Sequence, residues 1–312
     1  MKAVVIYRYG KPDVLQIVDL PLPRIKPDEA LIKVRFAAAN PKDTFIRKGR
    51  FKLLTGWRFP LQLGSDLCGD VIEVGHQVNH IRVGDVVWGA VNGWRGGAHA
   101  EYIAIKGAWV AHKPTGISDA EAAALPLVSL TALQALKQFK AGQRIFINGA
   151  SGGVGTAAVQ IAKVLGLHVT ATCSERTVEL VKSLGADELV DYTQQDIKRL
   201  DAQFDVFFDV FGNFHFSSVQ GLLTHDGRYI TTVPNPRNFW DALRTRFTYQ
   251  TAQVIVVQSN IADLERLRNW VETGQLKPVI DSVYPLSDIR AVHEKLETKR
   301  TQGKIVLEIA QI

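Results

Sequence analysis

One stretch constrains this chain more than any other: Ile145-Phe146-Ile147-Asn148-Gly149-Ala150-Ser151-Gly152-Gly153-Val154-Gly155, running on to Gly166. The apolar run Ile145 to Ile147 predicts a buried parallel strand, and the Ala/Val/Ile-rich run from Thr156 to Leu165 predicts the helix packed on it. Gly152, Gly153 and Gly155 lie between the two. Without side chains there, backbone N–H groups can approach an anion and the first helical turn can press against the strand. The free amides and positive dipole end of the helix then face whatever lies above the loop. The prediction is a pyrophosphate cradle made by Ser151, Gly152, Gly153 and Val154.

The surroundings support that reading. A second apolar strand, His168 to Thr172, follows about twenty residues on and closes a βαβ unit, while Ala150 takes the place of the first glycine in G-x-G-x-x-G. A rival motif overlaps it, because Gly149-Ala150-Ser151-Gly152-Gly153 also satisfies G-x-S-x-G, with Ser151 as a nucleophile. A hydrolase of that kind would place several βαβ units and an HGGG loop before its elbow. Here the upstream residues alternate β-like runs with turns and contain no such loop. A serine hydrolase using Ser151 is therefore the lesser alternative.

Composition narrows the class. The 312 residues, 46% apolar and 22% charged, suffice for two domains with cores of their own. Lys and Arg number 37 against 31 Asp and Glu, and the net charge of +6 is scattered. That suits an anionic cofactor or substrate, whereas a nucleic-acid partner would need a concentrated basic stripe. Cys68 and Cys173 are the two cysteines, too few for a disulfide framework or a cysteine metal cluster, which predicts a reducing compartment. The first residues carry neither a signal h-region nor a transit-peptide pattern, and residues 119–136 are broken by Pro126, Ser129 and Thr131. The expectation is a cytoplasmic chain with no membrane partner.

In order, residues 1–118 alternate short β-like runs with turn signals, which predicts a β-rich, partly open barrel. Ser118-Asp119-Ala120-Glu121 starts a capped helix, with helical period from Ala122 to Lys137. From Arg144 to Ser259 strands alternate with helices, as in a doubly wound parallel Rossmann sheet. The tail carries a helix (263–273), a β run (279–284), a helix (288–297) and a last strand (304–308) that reads as a barrel strand. The expected division is 1–118 with 260–312 as a catalytic domain, and 119–259 as a dinucleotide-binding domain.

Cofactor choice turns on the end of the second strand, where an NAD site carries an acid for the ribose hydroxyls. Counting forward from the glycine loop puts Thr172 there. Without a carboxylate, a 2'-phosphate is not repelled, and Ser174 and Arg176 offer a hydroxyl and a guanidinium to bind it. NADPH is the expected cofactor. Glu175 keeps NADH open, because a one-residue shift in register would return an acid to the ribose.

Along its whole length the chain resembles the medium-chain dehydrogenase/reductase superfamily, in its zinc-independent, zeta-crystallin-like quinone oxidoreductase branch. The matching features occur in family order: Asn40-Pro41-Lys42-Asp43; Gly64-Ser65-Asp66 before Gly69; Val83 to Val87; Gly97 to Tyr102; Leu130-Thr131-Ala132; Ala150 to Gly155; Leu184 to Asp187; and Gly303 to Leu307. The resemblance implies a GroES-like catalytic domain, a Rossmann domain, NADPH and a homodimer. It carries over Thr131 near the nicotinamide amide, Tyr192 near the adenosine ribose, Phe211 and Gly212 after the fourth strand, Val256, Val257 and Gln258 after the sixth, and Lys304. It also implies Asn40 as the catalytic pocket residue and Phe45, Phe51 and Trp94 as an aromatic substrate pocket.

In the zinc-dependent branch, metal ligands stand at the positions of Asn40, Ser65 and a residue near Leu125 or Pro126, and the four-cysteine lobe is missing here. His76 and His80 do not share a face of their strand-turn stretch and read as surface histidines. The expected chemistry is metal-free. Without a Lewis acid to acidify an alcohol, the accessible reaction is hydride delivery to a small electrophilic acceptor, a quinone or an α,β-unsaturated carbonyl, with a donor for the oxygen that gains charge. A non-catalytic NADPH-binding protein is the competing class.

Overall fold

The computed structural model describes residues 1–309, and the chain divides into two compact units. The first comprises Met1–Leu130, Gln258–Gly274 and the chain from Pro278 on. Its strands are β1 (Lys2–Ile6), β2 (Leu15–Asp19), β3 (Glu29–Ala39), β4 (Leu61–Gln62), β5 (Asp66–Val74), β6 (Val86–Ala90), β7 (Tyr102–Lys106) and β8 (Val110–His112). Helices α1 (Pro41–Arg47) and α2 (Lys52–Thr55) follow β3, and α3 (Asp119–Ala124) and α4 (Pro126–Leu136) follow β8.

The second unit, Thr131–Val257 with Gln275–Lys277, holds β9 (Arg144–Asn148), α5 (Gly153–Val164), β10 (His168–Cys173), α6 (Val178–Ser183), β11 (Glu188–Asp191), β12 (Phe204–Asp209), α7 (Phe216–Val219), β13 (Leu223–Thr231), α8 (Pro236–Arg244) and β14 (Thr251–Val254). The tail adds α9 (Ile261–Glu272), β15 (Ile280–Pro285), α10 (Ile289–Glu297) and β16 (Lys304–Glu308) to the first unit.

In the first unit, β2-β1-β4 form a small sheet, and the larger one runs β15-β16-β3-β5-β6-β8 with β7 paired to β3. The last strand returns to the N-terminal unit as the sequence predicts: β16 lies antiparallel to β3, Ile305 opposite Ala39. Apolar residues of β1, β3, β5 and β16, among them Ile6, Ile32, Leu67 and Leu307, share one core with Val292 of α10.

The first boundary falls at Leu130, later than the change of texture at Ser118 suggests. Asp119 of α3 is tied to Arg35 of β3 at 2.7 Å and to Lys113 at 2.7 Å, which holds α3 in the first unit. Pro126, expected inside one long helix, instead ends α3 at Leu125 and starts α4. Its ring cannot accept the preceding helix.

In the second unit the strand order is β11-β10-β9-β12-β13-β14, all parallel. Counted from β9 this is 3-2-1-4-5-6, the doubly wound order, with the reversal between β9 and β12. Ile145, Phe146 and Ile147 are fully buried, as a strand covered on both faces requires. Residues 275–277 join this unit through Gln160 of α5, whose side chain exchanges hydrogen bonds of 3.0 and 2.8 Å with the backbone of Lys277.

Candidate functional site

Because the six strands are parallel, the loops after them share one edge, and that edge collects most of the expected cofactor residues. After β9 the chain turns through Gly149 at φ +89°, a conformation that disfavours any side chain, and Gly152 caps α5. At Gly155 a Cβ would lie 2.0 Å from the Gly149 carbonyl oxygen, so the first turn of α5 can approach the loop this closely only with glycine there. At Gly152, by contrast, a Cβ would meet nothing nearer than 3.8 Å, leaving open space over the amide end of the helix. The donors and the empty volume fit a pyrophosphate.

Phe211 and Gly212 follow β12 and flank the same loop. The Val210 N–H donates to the Asn148 carbonyl at 3.0 Å, and the Asn148 amide bridges Asp209 and Asn213 at 2.7 Å each. These bonds lock the two loops at the reversal point of the sheet to one another. Ser174 and Arg176 follow β10, and Tyr192, exposed, follows β11, its N–H donating to the Cys173 carbonyl at 3.2 Å. Beyond β14, Val256 is 60% exposed, so it is not the core residue its apolar character would make it. Val257 and Gln258 come next in the chain, and Thr131 is buried on α4.

Thr172 needs a correction. Strand β10 runs on to Cys173, and Thr172 is buried within it, its hydroxyl accepting from the Gly149 N–H at 2.8 Å. The side chain is thus spent on holding the glycine loop and does not stand at the ribose position. The first residue past the strand is Ser174, two residues later than the count placed it.

A second cluster lies in the first unit. Asn40, at the start of α1, is 2% exposed, and its amide nitrogen donates to the Ala38 carbonyl at 3.2 Å and to Asp66 at 2.9 Å. Its amide oxygen accepts from the Lys304 ammonium, which also donates to Asp66 at 3.1 Å and to the Ala39 carbonyl at 3.3 Å. The other carboxylate oxygen of Asp66 accepts at 2.6 Å from the Leu127 N–H, one of those left without a helical partner where Pro126 restarts the helix. Asp43 closes α1 with a capping box to the Asn40 N–H at 2.8 Å and receives the Gly64 N–H at 3.2 Å. Both amide hydrogens of Asn40 and all three ammonium hydrogens of Lys304 are therefore committed. The structure brings Lys304, expected among the cofactor contacts, into the same buried knot as Asn40.

The three aromatic residues assemble. Phe45 and Phe51 meet edge to face at 6.2 Å, and Phe51 and Trp94 lie 4.2 Å apart. The structure adds a residue to which sequence reasoning assigned no role. Lys42, one turn position from Asn40, places its ammonium 6.0 Å from the Trp94 ring centre and 3.2 Å from the Ser65 hydroxyl. Burial pushes its pKa below the ordinary lysine value of 10.5, against the pull of Asp43 and Asp66. Of its three N–H groups one has a hydrogen-bond partner among the described residues, leaving donors beside the aromatic walls. Lys42 stands within the Asn40-Pro41-Lys42-Asp43 motif, but its place beside Trp94 and Ser65 depends on the fold.

Comparison with known proteins fits this geometry. Residues 26–115 match the alcohol dehydrogenase GroES-like domain family, and residues 184–307 match the zinc-binding dehydrogenase family. A chloroplastic quinone-oxidoreductase homolog of Spinacia oleracea is 36% identical over 96% of this chain and 95% of its own length. The chain belongs to the medium-chain dehydrogenase/reductase superfamily, zinc-independent quinone oxidoreductase type. Within this superfamily it is also 37% identical, over 98% of the chain and 79% of the relative, to the NADPH-dependent alkenal/one oxidoreductase of Arabidopsis thaliana chloroplasts. The Escherichia coli quinone oxidoreductase, solved in complex with NADPH, superposes with a TM-score of 0.85 at 25% identity, covering 99% of this chain and 100% of that one.

The zinc named by one of these families finds no suitable donors. At the ligand positions stand an amide whose oxygen is taken by the Lys304 ammonium, Asn40, and the Ser65 hydroxyl that receives Lys42. Neither offers the imidazole or thiolate that such a site needs. Among the described residues no group of three His, Cys, Asp or Glu is placed to hold a metal ion.

Proposed function

We propose that this chain transfers a hydride from NADPH to a quinone or an α,β-unsaturated carbonyl without the help of a metal. The observation that carries the proposal is the open glycine loop at the reversal point of a 3-2-1-4-5-6 sheet, with Ser174, a hydroxyl and not an acid, as the first residue past the second strand and Arg176 just beyond it. The names of the spinach and Arabidopsis relatives and the NADPH held by the Escherichia coli structure support the same acceptor classes and cofactor.

When bound, NADPH supplies the hydride. The chain supplies the rest. The amide end of α5, from Ser151 to Val154, holds the pyrophosphate; Ser174 and Arg176 hold the 2'-phosphate; Tyr192, Phe211 and Gly212 line the adenosine side. Thr131 and the 256–258 stretch are further cofactor contacts in this reading. Phe45, Phe51 and Trp94 hold a flat acceptor by its faces. The Lys42 ammonium, not the saturated Asn40 amide, donates to the acceptor oxygen as it gains charge and gives up the proton that completes reduction. Asn40 and Lys304 fix the turn from which Lys42 projects.

Two finer readings go with it. A homodimer of 34.5 kDa chains has a free sheet edge at β14 to build on. A cytoplasmic location agrees with two free, buried cysteines. Light scattering and cell fractionation read these directly.

The first test is oxidation of NADPH by a panel of quinones and enones, followed by nicotinamide absorbance. Turnover with either class is expected. Tight NADPH binding without oxidation across the panel would leave the binding-protein reading standing. A Ser151→Ala enzyme that keeps its activity removes the hydrolase, and already among the described residues no histidine or carboxylate bonds the Ser151 hydroxyl.

A further inference from the structure

The three rings given to the acceptor are joined by contacts into one row, Phe45 to Phe51 to Trp94, and each end of the row carries a cation. At the Trp94 end stands the half-buried Lys42, to which the proposed chemistry assigns the acceptor oxygen. At the Phe45 end the exposed Arg50 lays its guanidinium over the ring, 4.8 Å from the ring centre. No acid answers Arg50 among the described residues, and no hydrogen bond uses its side chain. A guanidinium stacked by its face on an aromatic ring keeps its in-plane N–H donors free, and the fork they form matches a carboxylate.

The surroundings carry the same sign. Residues 41–60 hold six cations, Lys42, Arg47, Lys48, Arg50, Lys52 and Arg58, against one acid, Asp43. Glu297 answers Arg47 and, at 2.9 Å, Lys48. Asp43 is fully buried and spent on the Asn40 and Gly64 N–H groups, and Asp66 is fully buried with Lys304. Arg50, Lys52 and Arg58 are exposed there without an acid partner among the described residues. The net charge of +6, read along the sequence as scattered, is thus gathered in good part beside the aromatic row.

We propose that the acceptor is an anion, a quinone or enone that carries a carboxylate beyond its electrophilic part, and that Arg50 selects it by binding that carboxylate. The inference rests on the acceptor site proposed above and names the class of molecule that this site takes. An acceptor so held turns its oxygen to the Lys42 ammonium and leaves its charged group at the exposed end of the row. There the carboxylate keeps part of its water, so its desolvation costs little. The positive field of this corner also draws such a molecule in, an effect that salt screens.

The test sets benzylideneacetone bearing a para-carboxylate against the methyl ester of the same compound, at saturating NADPH. The parent chain should show a kcat/KM roughly tenfold higher for the carboxylate at low salt, the scale of one charge-assisted pair, and the margin should shrink as salt is added. Arg50→Gln should bring the ratio of the two values close to unity, Arg50→Glu should invert it, and Arg50→Lys should keep part of the margin. Equal values in the parent overturn the proposal. So does a margin that survives in both Arg50→Gln and Arg50→Glu. An Arg50→Gln chain that loses both substrates equally overturns it too, because the guanidinium would then only pack on Phe45. If neither compound is reduced, the proposed chemistry falls by itself, and calorimetric titration of the two compounds reads the subsite. Tighter binding of the carboxylate, lost in Arg50→Gln, then supports the inference, and equal binding overturns it.

Discussion

The carboxyl edge of the six-stranded sheet and the Asn40–Asp66–Lys304 knot both carry residues that the sequence marks as functional, but the two are finished differently. At the sheet edge, glycine removes side chains and leaves the α5 amides facing open space. In the knot every donor has an acceptor, and the residues are buried. Open donors await a ligand, whereas satisfied ones hold a shape. Ligand-binding variants should therefore act at the sheet edge, and stability variants at the knot.

The largest effect should come from Lys304→Met. Removing one partner of a buried ion pair leaves Asp66, fully buried, without its cation and should cost about 3 to 5 kcal/mol of stability. Urea unfolding monitored in the first unit reads this. If stability holds while NADPH affinity falls, Lys304 is a cofactor contact and the contrast between the two regions fails.

Next is Lys42→Met, which tests whether the Lys42 ammonium, with donors to spare beside the knot, does the chemistry. Loss of a donor to a developing oxyanion typically lowers kcat by about 10²–10³, on the order of 3 to 4 kcal/mol. The pH profile distinguishes this from mere packing. Because burial lowers the Lys42 pKa below 10.5, its ammonium is lost as pH rises through that lowered value, and the wild-type rate should fall on the alkaline side. Lys42→Arg should move that limb upward, and Lys42→Met should remove it. An unchanged alkaline limb in Lys42→Met would return the donor role to another group.

Much of this was legible beforehand because it depends on local pattern. The glycine loop, the alternation of strands and helices, and the return of Lys304 to Glu308 to the barrel all follow from periodicity and turn chemistry. The meeting of Phe45, Phe51 and Trp94 came from the family resemblance. What was not legible depends on partners far away in the chain. Asn40 reads as an available amide until Asp66 and Lys304, 26 and 264 residues on, are seen to consume it. The burial of Asn238 and Asp241 beneath α8 inverts what its composition alone would suggest, since a polar residue on a helix normally faces water. Strand ends are likewise set by side-chain bonds such as Thr172 to Gly149, which no periodicity reports.

At the sheet edge, Arg176→Ala should weaken NADPH by roughly 1.5 to 3 kcal/mol, the scale of a hydrogen bond to a charged group, and leave NADH nearly unchanged. Titration of both cofactors by fluorescence gives the two constants. Equal weakening of both would mean that Arg176 supports the fold of the edge and not the 2'-phosphate.

The smallest effect, and the one that best locates the ribose, separates two carboxylates two residues apart. Thr172→Asp buries its charge under the glycine loop, where Thr172 now accepts from the Gly149 N–H, so it should lower stability and weaken both cofactors together. Ser174→Asp places the same charge on the first residue beyond β10, half-buried at the carboxyl edge, where it can accept from ribose hydroxyls and repel a 2'-phosphate. That variant should shift the ratio of NADPH to NADH dissociation constants about tenfold toward NADH, roughly 1.4 kcal/mol, without loss of stability. If Thr172→Asp shifts the ratio and Ser174→Asp does not, the ribose sits deeper in the sheet than the end of β10 implies, and Glu175 is then too far along the chain to admit NADH.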